Sequence, residues 1–201
     1  IELEIYYHKG HEYNLNKIVD ALKLSFDYYT ANFSKYKNDE IRILEVSNYI
    51  NNIKSLPNII SFSETNEFIL NSNDESNVDM LYYKTAHELA HQWWGMQVEA
   101  ANTQGRNLII ETLSQYSALM VMKQKYSNEK IMRLLQKEKE NYLDGKKRDS
   151  NQEVSLELVE NQEYVYYAKG AINMYKFQKI IGEDKVNLAL KQFLEDWNTI
   201  D

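Results

Sequence analysis

Two histidines four residues apart enclose a glutamate in the run Thr85-Ala86-His87-Glu88-Leu89-Ala90-His91-Gln92-Trp93-Trp94-Gly95. On an α-helix such residues share a face, about 6 Å apart along the axis. His87 and His91 can therefore place two imidazole nitrogens on one metal ion. Glu88 stands beside that ion, where a carboxylate can take a proton from an activated water. The H-E-x-x-H spacing thus points to a zinc ion that activates water, with the glutamate as its base. Two histidines on a helix can equally be ordinary core or surface residues, and the flanks bear on that choice. Ala86, Leu89, Ala90, Trp93 and Trp94 leave the helix little polar surface, so it is expected to be buried. A buried carboxylate and two buried imidazoles are costly without strong partners, and a metal provides them.

A catalytic zinc takes three protein ligands and leaves a fourth position for water. The chain has no cysteine, so the third ligand must be imidazole or carboxylate. Glu111, in Leu108-Ile109-Ile110-Glu111-Thr112-Leu113, is an acid in an apolar helical stretch. It either pairs with a buried cation or ligates metal, and the nearest basic residue before it on that helix is Arg106, five positions back. Glu99, just past Gly95 in an expected loop, is the rival ligand. One zinc per chain is the expectation.

The elements that must carry these groups follow from periodicity. Ile1 to Tyr7 alternates apolar and charged side chains, as a half-buried strand does. Asn14 to Phe33 carries Leu15, Ile18, Val19, Leu22, Phe26 and Tyr29 on one helical stripe. Ile41 to Val46 reads as a second strand and Asn48 to Asn58, with the single proline Pro57, as a loop. Ile59 to Phe62 and Glu67 to Leu70 read as one interrupted strand, and Asn71 to Asn77 as a polar loop. Ser76 and Asp79 form a loose capping box before a helix that runs to about Gly95. Further helices are expected over Asn107–Tyr126, Asn128–Leu143, Glu163–Ile181 and Asp184–Trp197, with Gly145 to Gln152 a basic surface loop. Strands first and helices after make an α+β arrangement, a small N-terminal sheet followed by a mainly helical bundle. Residues 1–201 read as one domain.

Composition narrows the classes of partner. A net charge of −7 argues against a nucleic-acid or anionic-membrane surface. No apolar run approaches bilayer-spanning length and no signal peptide is visible. The chain begins with Ile1, so it is expected to be a piece of something longer, with membrane-spanning or other domains outside it.

Three segments in order resemble the aminopeptidase N (membrane alanyl aminopeptidase) family of zinc peptidases. They are the His87-Glu88-Leu89-Ala90-His91-Gln92-Trp93-Trp94-Gly95 helix, the Glu111 helix, and Tyr167-Ala168-Lys169-Gly170-Ala171. The resemblance covers about Ile59 to Trp197 and implies a thermolysin-like catalytic domain, closest to a bacterial branch attached to transporter-like membrane proteins. It implies that Tyr167 hydrogen-bonds the oxyanion, a role a tyrosine hydroxyl fills without ionising. It further implies that Glu64, in Ser61-Phe62-Ser63-Glu64-Thr65-Asn66, takes the Glu position of the family's G-x-M-E-N strand and holds the substrate's α-amine. Gly, Met and the adjacent Asn of that pattern are absent here.

Two other departures stand out. Nineteen residues, Gln92 to Ile110, separate the second histidine from Glu111, where the family has eighteen. Ile110 replaces the family's Asn, which removes an expected outer hydrogen bond to a ligand histidine. A loop extension after Gly95 is expected to absorb the extra residue, and weaker zinc affinity or slower turnover is expected from the second change. The resemblance implies an aminopeptidase acting on peptides. The alternatives are a metalloendopeptidase, a non-catalytic zinc- or peptide-binding module of a transporter-like protein, and a metal-free relic. Membrane-associated or extracytoplasmic location of the full-length protein is the matching expectation.

Overall fold

The N-terminal alternation becomes β1 (Glu2–Tyr6), which lies beside β2 (Glu40–Val46). The computed structural model describes residues 1–47, 53–70 and 79–198. In it β1 and β2 run parallel, with Leu3 opposite Ile41 and Ile5 opposite Ile43. Parallel neighbours require a crossover, and α1 (Leu15–Asn32) supplies it. β2 pairs in parallel with β4 (Ile59–Ser63), and β3 (Lys54–Leu56) runs antiparallel to β4 at the sheet edge. The order is β1-β2-β4-β3.

Helices follow: α2 (Met80–Ala90), α3 (Leu113–Lys125), α4 (Asn128–Arg148), α5 (Gly170–Ile181) and α6 (Glu183–Trp197). Sheet residues Ile41, Ile43, Ile60 and Phe62 share one core with Ile18, Leu22 and Tyr29 of α1 and with Leu89, Leu119 and Val121. This matches the expected small sheet followed by a mainly helical region. Among the described residues no helix is long and apolar enough to cross a membrane.

Several expected boundaries need correction. Lys54–Leu56, expected to be loop, is strand β3, because the Pro57-Asn58 turn folds it back onto β4; Asn58 adopts a left-handed φ of 62° there. Glu67 to Leu70, expected to continue a strand, is instead the end of a π-helical turn, Glu64–Ile69, and its cap, Leu70, whose N–H reaches back to Thr65 O. The Asn14 side-chain amide clamps that turn by donating to the carbonyls of Glu67, Phe68 and Leu70. Gly145 to Arg148, expected to be loop, is the last turn of α4, where Lys146, Lys147 and Arg148 complement the helix dipole. α2 stops at Ala90, short of Gly95. Residues 48–52, the Asn71–Asn77 stretch and the Ser76 half of the capping box lie outside the described residues.

Candidate metal centre and active site

α2 is pinned at both ends. Asp79 accepts a hydrogen bond from Tyr82 N–H at 3.1 Å, capping the first turn. At the other end Trp93 and Trp94 are fully buried. Trp93 Nε1 donates to Ser34 O at 3.0 Å and Trp94 Nε1 to Ser117 Oγ at 2.8 Å. The Tyr29 hydroxyl donates to Ala86 O, tying α1 to the same helix. His87, Glu88 and His91 are consequently carried on a helix fixed between α1 and α3, and each is at most 9% exposed.

His87 Nε2 lies 3.1 Å from His91 Nε2. Glu111 Oε2 is 3.4 Å from the first and 3.5 Å from the second. Four ligands about 2.0 Å from a tetrahedral ion are separated by about 3.3 Å, so this triangle is the size of one face of a zinc coordination shell. Glu111 Oε2 is buried and, beyond those two imidazoles, has no hydrogen-bond partner among the described residues. An orphaned carboxylate oxygen aimed at two imidazole nitrogens, with no lysine or arginine paired to it among the described residues, is the donor set a metal requires. Glu99 is exposed and takes no part in it.

Glu111 reaches this position from a π-helical turn, Leu108–Thr112, closed by Leu113 N–H to Leu108 O. A turn closed over five residues takes up one more residue than an α-turn. It therefore offers the extra residue of the nineteen-residue spacing a place without moving Glu111 off the metal face.

Tyr167 also sits in a π-helical turn, Tyr164–Lys169, with its ring centroid 6.0 Å from that of His87. Close packing brings the two turns together. Thr112 Oγ1 donates to Tyr166 O at 2.6 Å, and a Cβ on Gly170 would stand 2.5 Å from Thr112 Oγ1. Only glycine permits that approach. Lys169 ion-pairs with Glu153, which also accepts from the Tyr142 hydroxyl and pairs with Lys146. This clamp ties the Tyr167 turn to α4.

Supporting contacts orient the reactive groups. The Ser55 hydroxyl on β3 lies 2.7 Å from Glu88 Oε2 and 2.8 Å from Glu88 O. The β3 turn is itself held by Gln92, whose side chain donates to Leu56 O and accepts from Asn58 N–H. His91 Nδ1 faces Trp94 O at 3.2 Å and Ser114 Oγ at 3.1 Å, and Ser114 in turn donates to Ile110 O. That arrangement directs the Nδ1 proton outward and Nε2 to the centre. His87 Nδ1, by contrast, is buried without a partner among the described residues.

Electrostatics follow from burial and mutual charge. Burial and the neighbouring His87 lower the His91 pKa. His87 is raised, because Glu111 and Glu88 outweigh the burial that opposes its charge. Glu111 is lowered despite its burial, by His87 and His91 above all. Tyr167 is pushed far up by burial and by the Glu111 charge, which keeps its phenol protonated at neutral pH.

A cavity of about 1130 Å³ opens over the centre, with His87, Glu88 and Tyr167 in its wall. Glu138 of α4 is in that wall too, 5% exposed. Burial raises its pKa, and its side chain accepts a hydrogen bond from Asn141. Sequence reasoning passed over it, although Ile131, Leu134, Leu135 and Glu138 share one helical stripe, which marks an acid on a buried face. Ser55 was also missed, since its strand read as loop. Glu64 lies elsewhere: it is outside the cavity lining and faces His11 at 3.9 Å.

The profile described as "Peptidase family M1 domain" matches residues 13–200. No curated protein matches the sequence. Among solved structures, the fold is similar to that of Legionella pneumophila aminopeptidase A in complex with aspartic acid (TM-score 0.72, 18% identity), covering 98% of this chain and 22% of that one. It is similar to native yeast LTA4 hydrolase (TM-score 0.68, 15% identity), covering 89% and 29%. It is also similar to an M1 zinc metallopeptidase from Deinococcus radiodurans (TM-score 0.63, 15% identity), covering 96% and 38%; a variant of that protein has been solved with a Tyr-Ser-Ala substrate. The chain thus spans from about a fifth to two fifths of the proteins it resembles.

Proposed function

The chain belongs to peptidase family M1, and on that premise we propose that it is the catalytic domain of a zinc-dependent peptidase that removes N-terminal residues from peptides. The observation that carries this reading is the triangle of His87, His91 and Glu111 donor atoms beside Glu88, at the wall of a peptide-sized cavity. Those three residues would hold zinc, which when bound polarises a scissile carbonyl and makes water more acidic. Glu88, oriented by Ser55, takes the proton of the attacking water and returns it to the leaving amine. Tyr167, kept protonated by burial and by Glu111, donates to the oxygen on which charge develops. β3 forms the sheet edge next to Glu88, an edge to which an extended peptide backbone can hydrogen-bond.

Removal of single N-terminal residues requires an anion for the substrate ammonium. Glu64 has that role by resemblance. Glu138 is the better-placed carboxylate, being buried in the cavity wall and paired with no lysine or arginine among the described residues. A metalloendopeptidase is the second reading, favoured by the position of Glu64 outside the cavity lining. The single domain and its attachment to a transporter-like protein belong to the same proposal, the first supported by the run of elements and the second by the sequence resemblance alone.

Hydrolysis of fluorogenic aminoacyl amides by the full chain tests the reading. Activity should disappear with chelator and return with added zinc; hydrolysis unaffected by chelator would remove the metal from the mechanism. Glu138→Gln should raise KM for free-amine substrates far more than for N-blocked peptides. Equal effects on both favour the endopeptidase.

A further inference from the structure

Away from the cavity, a second set of side chains has the composition of a cation site. His11 in the β1–α1 connection, Glu45 near the end of β2, and Glu64 at the start of the turn after β4 each bring a donor atom within 4.8 Å of the others. His11 Nδ1 is 2.5 Å from Glu45 Oε1 and 3.9 Å from Glu64 Oε1. The other Glu45 oxygen accepts the His8 N–H at 2.5 Å, and the His8 ring lies 5.8 Å from that of His11.

Charge at this cluster does not balance. The Glu45 side chain is 1% exposed, and neither it nor Glu64 pairs with a lysine or arginine among the described residues. Two carboxylates facing one imidazole leave the group anionic whether or not the ring is protonated, and a divalent cation restores neutrality. The donor set, one imidazole nitrogen and two carboxylate oxygens, suits zinc. Glu45 is already oriented by a backbone N–H, as ligating carboxylates are. His11 and Glu64 are half-buried at 22% and 30% side-chain exposure, and changes of under about 1 Å take the His11–Glu45 and His11–Glu64 separations to the roughly 3.3 Å edge of a zinc tetrahedron.

We propose that His11, Glu45 and Glu64 form a second zinc site, one that pins the β1–α1 connection to the end of the sheet. A fourth ligand is water or the nearby His8. The site commits Glu64 to the sheet end rather than to substrate. It stands independently of the hydrolytic reading.

Zinc counting decides it. The full chain is stripped with chelator, re-equilibrated with zinc chloride, and its zinc measured by inductively coupled plasma mass spectrometry. Two zinc ions per wild-type chain are expected, and one in each of His11→Ala, Glu64→Gln and His87→Ala. Glu64→Gln is nearly isosteric at a half-exposed position, so circular dichroism should show it folded. In His87→Ala, added zinc should still raise the melting temperature. One zinc in wild type, unchanged by His11→Ala and by Glu64→Gln, overturns the proposal. One zinc that survives His87→Ala and is lost in His11→Ala leaves this site standing and takes the metal from the proposed active site instead.

Discussion

The candidate active site has two halves built on different principles. His87 and Glu88 lie in the last turn of α2 and His91 is its C-cap, still with helical φ and ψ, so the helix repeat alone sets their relative positions. Glu111 and Tyr167 come from two π-helical turns far apart in the chain, brought together by Thr112 against Gly170 and by the Lys169–Glu153 clamp. The first half needs only a fixed helix. The second needs two helices to approach within the depth of a missing methyl group. Positional precision in the distant half is thus a property of packing and ought to be the more easily lost.

Four substitutions test that contrast. Glu88→Gln changes the chemistry of the local half and leaves its geometry alone. It should lower kcat by roughly 10²–10⁴-fold with zinc at the His87–His91–Glu111 centre retained; undiminished turnover would remove Glu88 from its role. Gly170→Ala attacks the distant half, forcing Thr112 and the Glu111 turn away from Tyr167. A displacement near 1 Å should cost roughly 10²-fold in kcat/KM, together with about 1–3 kcal/mol of stability from overpacking. Calorimetry and kinetics on the same preparation separate the two effects, and wild-type kinetics would show that the approach tolerates a methyl group.

Ser55→Ala returns to the local half by removing the hydroxyl that orients Glu88. The loss of one hydrogen bond, about 1 kcal/mol, predicts kcat down by roughly fivefold with KM little changed. A change in KM alone would assign Ser55 to substrate binding.

Glu153→Gln loosens the clamp behind Tyr167. Against the opposing effect of burial, Lys169, Tyr142 and Lys146 hold the Glu153 pKa down to about 2. A carboxylate lowered on folding contributes stability above its unfolded pKa, and that contribution is lost as pH falls from about 4.5 to about 2. The variant should melt about 2–4 °C lower at neutral pH. Its disadvantage should shrink across that acid window; a constant difference down to pH 2 would show that the clamp does not act through charge.

The same contrast explains how much was legible beforehand. The i, i+4 histidine pair and its apolar flanks follow from helix periodicity, so the metal half could be read without a fold. Glu111 could be picked out as an acid without a local cation. The π-helical turns could not, because a run of five or six residues is too short for its apolar spacing to separate such a turn from an α-turn or a strand. That is why Glu67 to Leu70 read as strand. β3 looked like loop because Pro57 broke the pattern, and Ser55 was lost with it.

What the sequence determined alone, then, is local: a buried helix offering two imidazoles and a carboxylate, and a third acid in apolar surroundings. These depend on side-chain type and on a repeat of 3.6 residues, both written in the chain. The tertiary structure decided which distant groups meet. It directed Glu111 Oε2 into the triangle, set Ser55 on Glu88 and Glu138 in the cavity wall, and turned Glu64 towards His11 and Glu45. Those meetings depend on the close approach of elements separated in sequence, which no local pattern records, because one methyl group at Gly170 is enough to forbid it.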